Sequence, residues 1–229
     1  MQPPCTPLQP DAPADVHVWR VDIALDAPLD AAAGNVLQAH EMERAGRFLR
    51  HHDAVRFTTM RAALRRLLAS MTHADAAHLT FDTDAHGRPK LAMRDAPDFN
   101  VSHSGAHGLI AISRARRVGV DIEEARLSFD WRGLETSVLH DADARAIDAL
   151  PQGARSGAWF ACWTAKEAVL KAQGEGIGGE KLAMPGFSVL PLGGARRTRF
   201  ALSKEAGSFD AVPLAAPAGY AAALAWSTE

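Results

Sequence analysis

Trp163-Thr-Ala-Lys166-Glu167-Ala-Val-Leu-Lys171 is the stretch from which the rest of the chain is read. As a helix it stacks Trp163, Glu167 and Lys171 on one face, because side chains four apart are neighbours. Apolar neighbours flank Glu167 in sequence, with Trp159, Phe160 and Trp163 before it and Val169 and Leu170 after it. A carboxylate at such an apolar junction needs a cation, and Lys171 need not be its only partner. Upstream lies Val118-Gly-Val-Asp121-Ile-Glu123. In a strand, Asp121 and Glu123 share one face, and Val120 and Ile122 share the other. Three carboxylates from a strand and a helix are hard oxygen donors of the kind Mg²⁺ takes, with waters or phosphate oxygens completing the octahedron. Each motif alone has an ordinary reading, as a solvated strand edge or as a surface i,i+4 ion pair. Their joint occurrence favours the metal site.

Composition sets the limits. The chain has 229 residues, 47% of them hydrophobic, enough for one large domain or two compact halves. A net charge of −2 gives no global basic field that would argue for nucleic acid. Two cysteines, Cys5 and Cys162, are too few for a disulfide framework and suit a reducing cytoplasm. No basic segment leads into an apolar core at the start, and no run of about 18 apolar residues occurs. The Ala-rich end is interrupted by Pro213 and Pro217. A soluble, cytoplasmic protein with no membrane contact is expected.

Residues 1–15 hold five prolines and almost no aliphatic pattern, which predicts a disordered tail. Residues 16–23 alternate as a strand with Trp19, Val21 and Ile23 on one face. Helix is expected after Pro28, with Asn35 as an N-cap, and Arg44, Arg47 and Arg50 recur at spacing three. A further helix from near Asp53 buries Phe57, Met60, Leu64, Leu67 and Met71, with Arg56, Arg61, Arg65 and Arg66 off that stripe. Such arginine density is ordinarily a solvated basic face. The sharper reading is an anion site, since the guanidinium fork matches phosphate oxygens.

Short strands at 78–81 and 89–93 flank a turn that leads into Gly87-Arg88-Pro89-Lys90. Phe99-Asn-Val-Ser102-His103-Ser104-Gly105 reads as a strand entering a turn. His103 and His107 invite a zinc reading, but turn-like residues separate them and no Cys or Glu stands at ligand spacing. A Ser102–His103 catalytic pair is disfavoured because neighbours on a strand face opposite ways. Strands at 108–113 and 118–122 are joined by the basic turn Arg114-Ala-Arg116-Arg117, the expected boundary between residues 16–116 and 117–229. Helix is expected over 127–150 and again over 154–173, and strands at 187–190, 197–202, 209–212 and 220–226. Gly174-Glu-Gly176-Ile-Gly178-Gly179 matches a dinucleotide fingerprint in letters only. It closes a helix instead of following a strand, and no P-loop motif occurs.

The Val118–Glu123 segment followed by Trp163 to Lys171 closely resembles the two-part motif of 4'-phosphopantetheinyl transferases. The chain length and the Phe99 to Gly105 segment resemble the surfactin-synthetase-activating type. The resemblance runs from about Arg44 to Gly176 and implies an α+β fold. In that fold two similar α/β halves each carry a small antiparallel sheet packed with helices. No residue-level repeat is visible, so the two halves rest on the resemblance. It further implies a monomer that moves phosphopantetheine from coenzyme A to a serine of an apo acyl- or peptidyl-carrier protein, releasing adenosine 3',5'-bisphosphate.

In that frame Mg²⁺ sits on Asp121, Glu123 and Glu167, and Lys171 bonds the diphosphate. Glu167 is the base, with Glu123 the alternative. Arg56 is the best match for a contact to the 3'-phosphate, with Arg44 and Arg47 weaker matches. Ser102 and His103 meet the nucleotide end, His103 on a phosphate, and Arg88 stacks beside the adenine. Lys166, about 100° round the helix from Glu167, assists phosphate binding or sits at the surface. Two other classes share these parts. A non-catalytic coenzyme A-binding protein needs the Arg and His contacts but not all the carboxylates and Lys171. A Mg²⁺-dependent coenzyme A hydrolase uses the same metal with water as nucleophile.

Overall fold

The computed structural model describes residues 5–33, 35–126, 129–174, 183–190, 202 and 207–228. The first elements are β1 (Cys5–Leu8), β2 (Val16–Asp22), α1 (Leu29–Ala33), α2 (Ala39–Gly46) and α3 (His51–Thr72). A short hairpin of β3 (Phe81–Thr83) and β4 (Pro89–Leu91) leads to a longer one of β5 (Asp98–Ser104) and β6 (His107–Ser113). After β7 (Val118–Glu124) come a 3₁₀ turn (Trp131–Leu134), α4 (Glu135–Val138), α5 (Asp141–Asp148) and α6 (Gln152–Gln173). The strands β8 (Phe209–Pro213) and β9 (Tyr220–Ser227) follow.

Among the described residues, and setting aside β1, the small hairpin and the short helical pieces, the chain runs twice through the same plan of strand, long helix, strand, strand. These are β2, α3, β5, β6 and then β7, α6, β8, β9. Both sheets are antiparallel, and both place the last strand between the other two, as β2-β6-β5 and β7-β9-β8. The halves are thus alike in topology where their sequences are not. One face of each sheet joins a shared core of Val16, Val18, Leu109 and Ala111 with Val120, Ile122, Leu224 and Trp226. The other face of the first sheet packs Ile110 and Ile112 against Met60, Leu64 and Leu68 of α3. On the second sheet, Ala223 and Ala225 meet Ala165, Ala168 and Val169 of α6.

The sheets meet edge to edge at β5 and β7 through side chains. Asp98 Oδ2 accepts from the backbone N–H of Val118 (2.8 Å), and Asn100 Oδ1 from that of Val120 (2.9 Å). Ser102 Oγ accepts from Ile122 N (3.4 Å), and Ser104 Oγ from Glu124 N (3.1 Å). Each pair is 20 residues apart, so the strands run parallel in one register. Arg88 braces the top of this seam. Its guanidinium donates to Asp98 (2.7 Å) and Phe99 O (2.8 Å) on one side, and to Val118 O (2.8 Å) and Lys171 O on the other.

Several expectations are corrected. Residues 5–8 of the expected disordered tail form β1, because the free edge of β2 supplies backbone partners and Leu8 and Cys5 reach the two cores. Asn35 is not a cap; it stands at φ 58°, and α2 begins after Gln38, whose N–H bonds Glu41 (2.9 Å). Arg65 is fully buried on Glu41 and the carbonyls of Ala76 and Leu79, so it belongs neither to a solvated face nor to an anion site. Of the helix expected over 127–150, the described residues 129–150 form three short helical pieces. Residues 187–190 form no strand, because side chains of α5 and α6 take their backbone groups. The expected strand at 197–202 lies outside the described residues, except Leu202. No described helix is long and apolar enough to cross a membrane.

Gly119 sets the distance between α6 and β7. A Cβ there would run into the carbonyl of Ala168 and the amide of Ala172, and backbone cannot step aside. Gly119→Ala is therefore expected to destabilise the protein by about 3 kcal/mol, the upper range for overpacking, as measured by urea unfolding.

Candidate active site

The close approach at Gly119 brings the α6 face bearing Glu167 and Lys171 over the next residue on the same face of β7, Asp121. Lys171 Nζ lies 2.6 Å from Asp121 Oδ1, which also accepts from Ser102 Oγ at 2.8 Å. Asp121 is 2% exposed, and its Oδ2 is buried with no partner among the described groups. Glu123, two residues along β7, accepts from Ser104 Oγ at 2.9 Å. Glu167 is buried, and its Oε1 is likewise without a hydrogen-bond partner.

The electrostatics follow from this crowding. Burial pushes the Glu167 carboxyl up, Lys171 pulls it back, and Asp121 and Glu123 add to the rise, leaving it at about 7. Glu123 is raised first by burial and then by Asp121. A carboxyl near 7 is poised to exchange a proton at neutral pH, which an ordinary surface glutamate is not. Among the described residues no three His, Cys, Asp or Glu side chains stand together as a ready ligand set. The three carboxylates feel one another but do not converge, because like charges repel and Lys171 has taken the Asp121 oxygen.

On the other side of β5, His103 lies at the rim of a cleft of about 150 Å³ lined by Phe57, Met60, Arg61, Arg88, Pro89 and Phe99. The protein packed around His103, and then Arg56, push its pKa below the usual histidine value. Arg56 is held by Asp53 and donates to Gly105 O at 2.7 Å, in the turn that follows His103. Arg44 stacks over Phe57 of this cleft at 5.0 Å, whereas Arg47 is exposed on Glu43. A second cleft of about 300 Å³, with Trp159, Phe160 and Trp163 in its wall, opens beside Glu123 and Ser104.

The structure thus brings together Asp121, Glu123, Glu167, Lys171 and Ser102, and separately Arg56, His103 and Arg44. Two assignments change. Arg88 lines the cleft, but its guanidinium is committed to the seam, so it is not free to stack on a ring as expected. Ser102 gives its hydroxyl to Asp121 and does not line the cleft beside His103, where a nucleotide contact was expected of it. Ser104 went unassigned from sequence; the signal was its place two residues after Ser102, on the same strand face.

The chain matches the 4'-phosphopantetheinyl transferase superfamily over residues 117–225 and the N-terminal region of 4'-phosphopantetheinyl transferase over residues 29–115. The 4'-phosphopantetheinyl transferase HetI of Nostoc sp. is 35% identical over 71% of this chain and 70% of its own length. A phosphopantetheinyl transferase of Thraustochytrium sp. is 30% identical over 82% of this chain and 73% of its own. A Synechocystis sp. protein carrying the 4'-phosphopantetheinyl transferase name is 36% identical over 67% of this chain, a match that spans 63% of that protein. The chain belongs to the 4'-phosphopantetheinyl transferase superfamily, a family of transferases that use coenzyme A and act on carrier proteins.

Lys166 has neither role expected of it. It is fully buried, its Nζ donating to Met184 O (2.7 Å) and Phe187 O and pairing with Asp143 (2.9 Å). Asp143 in turn accepts from Ser188 Oγ and from the N–H of Val189 and Leu190. Burial opposes the Asp143 charge, but Lys166 first, and then these donors, hold its pKa below the usual aspartate value. A depressed value means that this stabilisation is complete above the unfolded pKa near 3.9 and is lost as pH falls through the lower folded one. Lys166→Met is expected to cost about 3–5 kcal/mol at neutral pH, because it strands a buried carboxylate. The gap from wild type should narrow as pH falls and Asp143 is protonated, which urea titrations across the acid range will measure.

Proposed function

We propose that the chain is a monomeric, cytoplasmic transferase of the surfactin-synthetase-activating type. It moves 4'-phosphopantetheine from coenzyme A to a serine hydroxyl of an apo acyl- or peptidyl-carrier protein, releasing adenosine 3',5'-bisphosphate. The observation that carries this reading is geometric: Glu167 is a buried carboxyl with one oxygen unpartnered, one helical turn from a lysine that bonds Asp121, whose own second oxygen is also buried and unpartnered. Residues 16–116 would supply the nucleotide contacts, and residues 117–229 the carboxylates.

Asp121, Glu123 and Glu167 would hold Mg²⁺, and the donor set fits it: hard oxygens, two of them buried and unsatisfied. When bound, Mg²⁺ supplies positive charge against the diphosphate and the charge developing on the leaving phosphate. Glu167 takes the proton of the carrier serine as its oxygen attacks the phosphorus bearing pantetheine; Glu123, also raised, is the second candidate. The P–O–P bond then breaks toward the nucleotide. Lys171 has the reach and charge to bond the diphosphate. Arg56 and His103 orient the nucleotide end, His103 through a hydrogen bond to a phosphate. The aromatic cleft beside Glu123 offers room for the part of either substrate that approaches the reacting phosphorus.

Incubation with coenzyme A, Mg²⁺ and an apo carrier, followed by intact mass measurement, separates three readings. Addition of one phosphopantetheine to the carrier supports transfer; cleaved coenzyme A with an unmodified carrier means hydrolysis, and neither change means binding alone. Glu167→Gln is expected to keep coenzyme A affinity while transfer collapses. Lys171→Ala should weaken both. A Glu167→Gln enzyme at wild-type rate passes the role of base to Glu123. Arg56→Ala should lose most of the wild-type preference for coenzyme A over its 3'-dephospho form, a contact of about 1.5–3 kcal/mol. Calorimetric titration of both ligands measures that preference.

A further inference from the structure

Two of the four seam residues bond backbone and also a carboxylate of the site. Ser102 Oγ accepts from Ile122 N and donates to Asp121 Oδ1; Ser104 Oγ accepts from Glu124 N and donates to Glu123 Oε2. A serine hydroxyl has one proton to give. With the backbone N–H on its oxygen, that proton is directed at the carboxylate. The hydroxyls are therefore fixed donors, each engaging one oxygen of its carboxylate. On Asp121 that oxygen also carries Lys171, and Oδ2 is left buried and free.

We propose that Ser102 and Ser104 are positioning residues that set metal selectivity, by leaving Asp121 and Glu123 one oxygen each for a divalent cation. This rests on the Mg²⁺ reading above. Mg²⁺ takes single oxygens in a tight octahedron, whereas Ca²⁺ is larger and accepts carboxylates through both oxygens. Holding the second oxygen in a hydrogen bond favours the smaller ion. The same hydroxyls orient the carboxylates, as outer partners of metal ligands do. Asp98 and Asn100 cap β7 in the same way, but the residue between their partners Val118 and Val120 is Gly119, which has no ligand to hold.

The test is calorimetric titration of Mg²⁺, and separately of Ca²⁺, into protein saturated with coenzyme A, with no carrier present. Ser104→Ala is expected to lose about tenfold or more in Mg²⁺ affinity; Ser102→Ala should lose less, because Lys171 still holds the same Asp121 oxygen. Ca²⁺ affinity should hold or rise, so the preference for Mg²⁺ narrows. Ser104→Thr, which keeps the hydroxyl, should restore it. Wild-type affinities for both ions in a Ser104→Ala protein that merely melts lower would reduce the serine to a strand staple and overturn the proposal. Equal losses for the two ions would also overturn it. Should Ser104→Ala not fold, Ser104→Cys, with a far weaker donor, carries the same expectation. A wild-type protein that binds no Mg²⁺ at all sinks the metal reading itself, an outcome distinct from failure of the serine variants alone.

Discussion

Every buried backbone N–H must find an acceptor, and the junction of the two sheets meets that demand with side chains. A strand that stops pairing leaves a row of open donors, which in most proteins is covered or charged. Here β5 turns alternate side chains toward β7, and Asp98, Asn100, Ser102 and Ser104 each take one donor. The result is a fixed register between halves whose main chains do not pair. A slip of two residues would put Ser102 beside Val120 and away from Asp121. The placement of the acidic residues thus depends on an arrangement whose first duty is to satisfy peptide groups.

The second constraint is how closely α6 lies on β7. Gly119 and the run of alanines in β9 leave no side chain to hold the helix away. Glu167 is carried into a place where water is scarce and two other carboxylates are near, which is why its proton is held so much more tightly than on a free glutamate. Such a cluster works against stability. Burial elsewhere compensates for it, and about 100° round the same helix the Lys166–Asp143 pair anchors residues 184–190. Neighbours in sequence, Lys166 and Glu167 face different surroundings: one secures the helix to residues 184–190, the other faces Lys171 and the carboxylates of β7.

Periodicity accounts for what was legible in the sequence. Trp163, Glu167 and Lys171 could be placed on one helical face, and Asp121 and Glu123 on one strand face, because a local repeat fixes which side chains share a direction. It does not say what lies opposite. Lys166 was misjudged because two of its partners, the carbonyls of Met184 and Phe187, have no side-chain letter, and the third, Asp143, comes from a different helix. Arg88 was misjudged for the same reason, since three of its four acceptors are main-chain oxygens. The alternating polar row from Asp98 to Ser104 was visible as a pattern. Its purpose was not, because it depends on a strand 20 residues further on that belongs to another sheet. The equivalence of the two halves was also beyond reach from residues alone, for it resides in strand order and not in sequence identity.

The short first strand has a consequence for how the molecule behaves in a crowd. β1 lies along the outer side of β2 and closes what would otherwise be an open template at the border of the first sheet. β1 is only 4 residues long and includes Pro7, which has no N–H to extend the ladder. The sheet therefore ends on a strand poorly suited to recruiting another chain, in place of one rich in Val and Trp that would do so readily. On this view β1 guards against aggregation: a short strand with a proline in it covers the strand most able to seed cross-chain pairing.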